Sequence, residues 1–268
     1  MNRGDFFAFF RRIGILYYLD FVRFFIQKIA RKKSNDAFRK NNPDVKLPPD
    51  YLIYESFHLN YENYYFDGRE TATWLLGILE KHKILKNIKI LDWGCGPGRI
   101  VRHLPNIVDQ SNQIYGSDYN QQSINWCSKN IPNVEFRVNK INPPLFFDDN
   151  YFDIIYGISI FTHLSEKSHH DWIQELLRVI KTDGIMLFST HGDAFKNALS
   201  RSELIKYNKG ELIIRGKVKE GHKIYGAFHP PSFMRNFFKT YAQIIEHIPG
   251  KEAPGSSKHD IWVLKKLN

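Results

Sequence analysis

A chain of 268 residues, 43% hydrophobic and 25% charged, has the size of one large α/β domain with an appendage, or of two small domains, and enough apolar material for a full core. This excludes a disordered chain, and two cysteines (Cys95 and Cys127) without CxxC or Cys/His zinc spacing exclude a disulfide-built or zinc-built fold and fit a reducing compartment. Residues 1–46 hold 11 Lys+Arg against four acids and so carry +7 of the net +10; the body is nearly balanced, unlike a protein that tracks phosphates over its whole surface, and no nucleic-acid partner is expected.

From Phe6 to Ile29 the chain is rich in Phe, Tyr, Ile and Leu and lacks Pro. Arg12, Asp20, Arg23, Gln27 and Arg31 fall on one side of a helical wheel, which predicts a long amphipathic helix with a narrow polar stripe and a wide apolar face. Arg11, Arg12, Asp20 and Arg23 argue against a membrane span, and Arg11 and Arg12 also break the apolar core that a signal peptide would need. Two readings are open. The helix docks its aromatic face on the body or on a second copy, or it lies in a bilayer surface with Arg31, Lys32 and Lys33 near anionic headgroups. The expected location is the cytoplasm, peripheral on the inner face of the membrane under the second reading. Lys40–Asp50, rich in Pro and Asn, reads as a linker.

Tyr51–Asp67 is unusually aromatic, and Arg69–Lys83 has helical spacing. Strands then alternate with helical patterns, the mark of parallel βαβ units. Seven strands are expected: Ile88–Trp93, Gln113–Asp118, Val134–Val138, Phe152–Gly157, Gly184–Thr190, Ala242–Ile248 and Ile261–Lys266. Helical stretches lie at Arg99–Val108, Gln121–Asn130, His169–Lys181 and Ser232–Lys239. Residues 193–222 break the rhythm with a helical piece and a hairpin at Glu211–Val218. The organisation expected is a basic helical arm and linker, residues 1–46, and a domain of residues 47–268 with an insertion at about 193–222.

The segment Ile90-Leu91-Asp92-Trp93-Gly94-Cys95-Gly96-Pro97-Gly98-Arg99 runs from an apolar strand into three alternating glycines and then toward a helix. Glycine bends the backbone tightly and lets a ligand approach without a Cβ in the way. A Gly-rich turn after the first strand is where a doubly wound sheet holds a nucleotide-like ligand. A dinucleotide fingerprint is missing, because its third glycine position, counted from Gly94, is Arg99; the Gly-Lys-Ser/Thr of a P-loop is missing too. The acidic-x-G-x-G-x-G pattern resembles motif I of the class I S-adenosylmethionine-dependent methyltransferases. Ile114–Asp118 ends the second strand with an acid, as in that family. Pro144–Asp153 is similar to its "PLPFPDGSFD" and Leu177–Gly184 to its "LRVLKPGG", with Thr182-Asp183 replacing Pro-Gly. The resemblance spans about Ile88 to Thr190.

It implies a Rossmann-like, seven-stranded, mostly parallel sheet with helices on both faces, and S-adenosyl-L-methionine as cofactor. Asp92 is then placed near the methionine moiety. Gly94, Cys95, Gly96 and Gly98 form the loop that frames its amino acid and ribose. Asp118 takes the ribose hydroxyls with Tyr119 beside it, and Asn139 reaches the adenine edge. Cys95 has no adjacent basic partner and is not read as a nucleophile.

An alcohol acceptor loses a proton during attack, which a positioned histidine can take. His163 follows the fourth strand and His191 the fifth, the strand ends that open on the crevice of a parallel sheet; His229 is a poorer third candidate. Asn142-Pro143-Pro144-Leu145 is a decoy for an amino methyltransferase signature: it precedes the fourth strand and ends in Leu. The paired glutamates of arginine methyltransferases are missing, and no metal cluster is expected. O-methylation of a small molecule, a saccharide or a lipid-linked intermediate is therefore expected, with Tyr51–Phe66 and the insertion as a lid. The alternatives are a methyltransferase-like binding or scaffold protein without catalysis, and an aminopropyl transferase on the same fold.

Overall fold

Inner strands of a parallel sheet are covered on both faces and read as unbroken apolar runs. In the computed structural model, which describes residues 15–56, 58–252 and 258–267, the strands are β1 (Lys89–Trp93), β2 (Gln113–Asp118), β3 (Glu135–Val138), β4 (Phe152–Gly157), β5 (Ile180–Thr190), β6 (Ile213–Arg215), β7 (Gly226–Phe228), β8 (Ala242–Ile248) and β9 (Asp260–Lys266). β4 is buried along its whole length and β1 along nearly all of it, whereas edge strand β3 alternates between exposed and half-buried residues. Seven strands form one sheet of order β3-β2-β1-β4-β5-β9-β8; β2 runs parallel to β1 and β3, β4 parallel to β5, and β9 antiparallel to both of its neighbours. The expected seven-stranded, Rossmann-like sheet with its surrounding helices is present.

The chain divides into two compact units, Tyr17–Lys140 and the stretch from Ile141 onward. The first holds most of α1 (Leu16–Asn41), α2 (Asp50–Ser56), a π-helical turn (Asn63–Asp67) that runs into α3 (Gly68–Leu79), and α4 (Gln121–Asn130). The Asn120 side chain accepts from the Gln122 and Ser123 amides and so caps two of the unpaired N–H groups at the start of α4. The helix expected at Arg99–Val108 is instead a 3-10 run, Val101–Asn106, with Pro105 inside it. Proline cannot donate to the ladder and clashes with the preceding turn, so the α form stops there. α1 continues past Ile29 to Asn41, which narrows the expected linker to residues 42–49; residues 6–14 of the expected helix lie outside the described residues.

The way α1 docks reverses the simple reading of its amphipathicity. Phe24 and Phe38 enter a core with Ile53, Tyr54, Leu59, Tyr61 and Tyr64, but the polar side chains turn inward with them. Asp20 accepts from the Tyr54 hydroxyl at 2.7 Å, Gln27 from the Leu59 amide at 3.0 Å, and Asn35 from the Tyr61 amide at 3.1 Å. Tyr18, Val22, Phe25, Ile26 and Ile29 stay exposed.

The second unit adds α5 (Glu166–Val179), α6 (Arg201–Asn208) and α7 (Pro231–Lys239). β5 begins at Ile180, earlier than the expected Gly184, and Asp183 takes the left-handed conformation (φ 61°) at the place where the resembled pattern has glycine. The hairpin expected within Glu211–Val218 is not formed: β6 pairs antiparallel with β7, across a long loop containing Lys217 and Gly221, both at positive φ. Among the described residues no helix is long and apolar enough to cross a membrane. Truncating Phe38 to Ala removes a ring buried between α1 and this core. It is expected to cost about 3–5 kcal/mol, read as a lowered midpoint in urea unfolding.

Candidate functional site

The loop after β1 is built on three left-handed glycines, Gly94 (φ 78°), Gly96 (φ 52°) and Gly98 (φ 81°). An L side chain at such φ costs about 1–2 kcal/mol, so glycine at alternate positions is what lets the chain coil here. The coil is fastened to the end of β2. The Gly94 and Cys95 amides donate to the Ser117 carbonyl at 2.8 and 2.9 Å, and the Gly96 amide donates to the Asp118 carboxylate at 2.9 Å. From behind, the buried Tyr64 hydroxyl donates to the Pro97 carbonyl at 2.7 Å. The second and third positions differ in surroundings. A Cβ on Gly98 would meet Ile131 Cδ1 at 2.4 Å and Cys127 Sγ at 3.1 Å, whereas one on Gly96 would find only Ser56 Cβ, at 3.7 Å. Gly98 is therefore required by packing, and Gly96 borders a space that would take a Cβ.

Two acids stand beside this space. Asp92, near the end of β1, and Asp118, at the end of β2, are both buried. Burial is the main reason that the Asp118 carboxyl is pushed up to about 6; amides of Asn120 and Gly96 pull the other way, and Glu55 adds to the rise. Asn139, one residue past β3, is buried; its amide nitrogen donates to the Lys140 carbonyl, while its Oδ1 has no hydrogen-bond partner. Ser117 Oγ is likewise buried without one. An unpaired buried acceptor is costly unless a ligand donor meets it. A ring edge with an amino group would fit Asn139, and vicinal hydroxyls would fit Asp118, which can accept both. All eight residues read from the sequence for the cofactor thus lie in one unit, at or beyond the C-terminal ends of β1, β2 and β3.

Tyr51, Glu55 and Ser56 lie in the Tyr51–Phe66 stretch expected as a lid, whereas Tyr17 escaped the sequence reading. Tyr119 is pushed up to about 12 by burial and then by Asp118, Glu55, Tyr17 and Tyr51; Tyr51 is itself raised to about 12 by burial and by Glu55. The only sequence signal for the α2 residues was the aromatic density after Tyr51. Cys95 and Cys127 are buried thiols held above their ordinary range by desolvation and by Asp92 and Asp118, and hence unsuited to nucleophilic chemistry.

His163 and His191 belong to the second unit, and the segment just past the insertion orients both. His163 Nδ1 lies 2.8 Å from the Tyr225 carbonyl and His191 Nδ1 3.0 Å from the Ala227 carbonyl, at and just before β7. A carbonyl only accepts, so each Nδ1 carries the proton and each Nε2 presents the lone pair, the tautomer a base needs. Desolvation lowers both histidines, with His259 and His163 adding to the effect at His191, and keeps the rings neutral. His229 is fully buried, with Nε2 2.9 Å from Nε2 of His169, and serves as packing. Among the described residues there is no cluster able to hold a metal ion.

Residues 90–184 match the model of a family described as a methyltransferase domain. Over 170 residues the chain is 28% identical to the malonyl-acyl-carrier protein O-methyltransferase of Bacillus cereus, a match covering 62% of this chain and 61% of that one. Over 124 residues it is 27% identical to the ubiquinone biosynthesis O-methyltransferase of Pelagibacter ubique, covering 45% and 49%. The matched stretch thus spans less than two thirds of either curated relative. Among solved structures, an S-adenosylmethionine-dependent methyltransferase of Methanosarcina mazei aligns with a TM-score of 0.53 at 19% identity, over 71% of this chain and 97% of that one; the likeness is one of fold.

The two glycines separate ligand binding from folding. Gly96→Ala is expected to cost about 1 kcal/mol of stability and to abolish ligand binding, because the new methyl enters the space beside it. Gly98→Ala is expected to lower the melting temperature more, by overpacking against Ile131 and Cys127 on top of the same backbone strain. Thermal melts with and without ligand distinguish them. The histidines set the acid limit. His169 and His259 are lowered from 6.5 to about 4, chiefly by burial, so the unfolded chain takes up protons that the folded chain refuses. Stability is full above pH 6.5 and is lost as pH falls toward 4, by about 3 kcal/mol from His169 alone. Urea midpoints at pH 7.5, 6 and 5 should fall steadily; a flat profile would contradict this.

Proposed function

We propose that the chain, which matches a methyltransferase-domain model over residues 90–184, is a class I S-adenosylmethionine-dependent methyltransferase that methylates an oxygen atom of a small-molecule acceptor. The observation that carries the reading is the coil of three left-handed glycines whose central amide is bound to a buried carboxylate. Bound there, S-adenosylmethionine supplies a methyl group on a sulfonium, which leaves as a neutral thioether. Asp118 accepts the ribose hydroxyls, with Tyr119 covering the same region. Asn139 Oδ1 accepts from the adenine amino group, which gives a donor to an atom that has none. Gly94, Cys95, Gly96 and Gly98 offer main chain without side-chain obstruction at alternate positions, and Asp92 balances the charge of the donor. Residues 47–268 constitute the catalytic domain of this reading, and residues 1–46 its arm.

The choice of oxygen is supported by the names of the two curated relatives, both O-methyltransferases, and by the decoy sequence Asn142–Leu145, which precedes β4. A carboxyl, a phenol, or a hydroxyl of a saccharide or lipid-linked intermediate meets this description. His163 and His191 present a neutral Nε2 and are the two candidates for receiving the acceptor's proton. Two free, buried cysteines fit a reducing, cytoplasmic setting.

Calorimetric titration tests the cofactor assignment. Asp118→Asn keeps a hydrogen-bond acceptor and removes the charge, and is expected to weaken S-adenosylmethionine binding about tenfold. In the native protein the carboxyl is raised to about 6, so affinity is expected to hold at pH 8 and fall as pH drops through 6, where the charged acceptor is lost. Equal affinity in the variant at every pH would remove Asp118 from the site. Once an acceptor is identified by transfer of labelled methyl, replacing the working base with Ala is expected to lower kcat by about 10²–10⁴ with cofactor affinity unchanged. Unaltered turnover in both His163→Ala and His191→Ala would exclude a histidine base.

A further inference from the structure

The exposed side of α1 has no counterpart in the chemistry proposed above. Tyr18, Val22, Phe25, Ile26 and Ile29 fall at i, i+4, i+7, i+8 and i+11, which is one face of a helix. They are open to solvent, Tyr18 at 76%, Ile26 at 60% and Ile29 at 78%, and Phe21 and Leu19 flank them. The same line continues one turn on through Lys32 and Lys33, both exposed. Between Tyr17 and Lys33 the one acid is Asp20, and it points inward to the Tyr54 hydroxyl; the next, Asp36, marks the end of the stripe. The opposite face is already docked through Asp20, Gln27 and Asn35, so the helix cannot turn its apolar side inward without breaking those bonds.

We infer that this face is an anionic-bilayer binding surface, which seats α1 in the plane of the lipid interface. A helix lying there needs apolar and aromatic side chains on one side, to enter the acyl boundary by about 5–10 Å, and cations at headgroup level. Phe25, Ile26 and Ile29 supply the first, and Lys32 and Lys33 the second. The charge distribution agrees: most of the excess positive charge lies in residues 1–46, whereas a neutral patch would serve self-association as well. A second copy laid on the same stripe would offer its lysines no carboxylate between Tyr17 and Lys33. The inference is independent of methyl transfer.

Co-sedimentation of the full chain with phosphatidylcholine vesicles, with and without 30% phosphatidylglycerol, tests it. Binding is expected only to the anionic vesicles and to weaken between 0.1 and 0.5 M salt. Lys32→Glu with Lys33→Glu is expected to reduce partition at least about tenfold. Ile26→Glu with Ile29→Glu is expected to abolish it while leaving the melting temperature and S-adenosylmethionine affinity unchanged, because those side chains face solvent. The inference is overturned by absence of binding to anionic vesicles, by undiminished binding in the isoleucine variant, or by a lipid-independent dimer that the isoleucine substitutions dissolve.

Discussion

The hydrogen bond from the Gly96 amide to the Asp118 carboxylate joins the turn after β1 to the end of β2, and the candidate cofactor site is arranged around it. Burying a carboxylate is costly, and the cost is offset here by main-chain donors, Gly96 and Asn120, that cannot swing away. Those donors are available only because the chain coils through positive φ, which glycine tolerates. The coil is backed by Tyr64 and by α3, where a Cβ on Gly68 would strike the Arg99 carbonyl at 2.3 Å. Packing is tight behind the loop and open before it. That asymmetry is what distinguishes a cradle from a plain strand-to-helix turn.

The same economy of burial governs the second unit, with opposite sign. There the buried titratable groups are bases, and desolvation keeps them neutral. Main-chain carbonyls at Tyr225 and Ala227, just past the insertion, fix the proton on Nδ1 of both candidate histidines. Such fixed tautomers leave Nε2 as a lone-pair donor at neutral pH. In a neighbouring buried pair, His169 spends both ring nitrogens, on the Ser165 carbonyl and on His229 Nε2, while His229 Nδ1 has no hydrogen-bond partner.

α1 connects these themes to the surface. Its docking uses hydrogen bonds to main-chain amides of the segment after α2, groups that would otherwise be buried without partners. Satisfying them with Gln27 and Asn35 commits the polar stripe to the protein and leaves the hydrophobic stripe outside. Tyr17 on this helix and Tyr51 and Glu55 on α2 act electrostatically on Tyr119, so the docked arm helps to define the environment of the candidate site.

From the sequence alone came the sheet, its seven strands and the loop, because continuous apolar runs and alternating glycines are local signals with few physical readings. β4 and the Asp92–Gly98 segment were legible for that reason. The extent of α1, the 3-10 turn at Pro105 and the pairing of β6 with β7 were less so, since a strand of three residues carries almost no periodicity and its partner is chosen by distant packing. Glu55 and Tyr51 were legible only as part of an aromatic lid segment, because their action on Tyr119 depends on how α2 is folded. Periodicity also gave two faces of α1 but not which of them turns inward. Only the tertiary structure decided that, through the unpaired amides of Leu59 and Tyr61 that a polar face could satisfy and an apolar one could not.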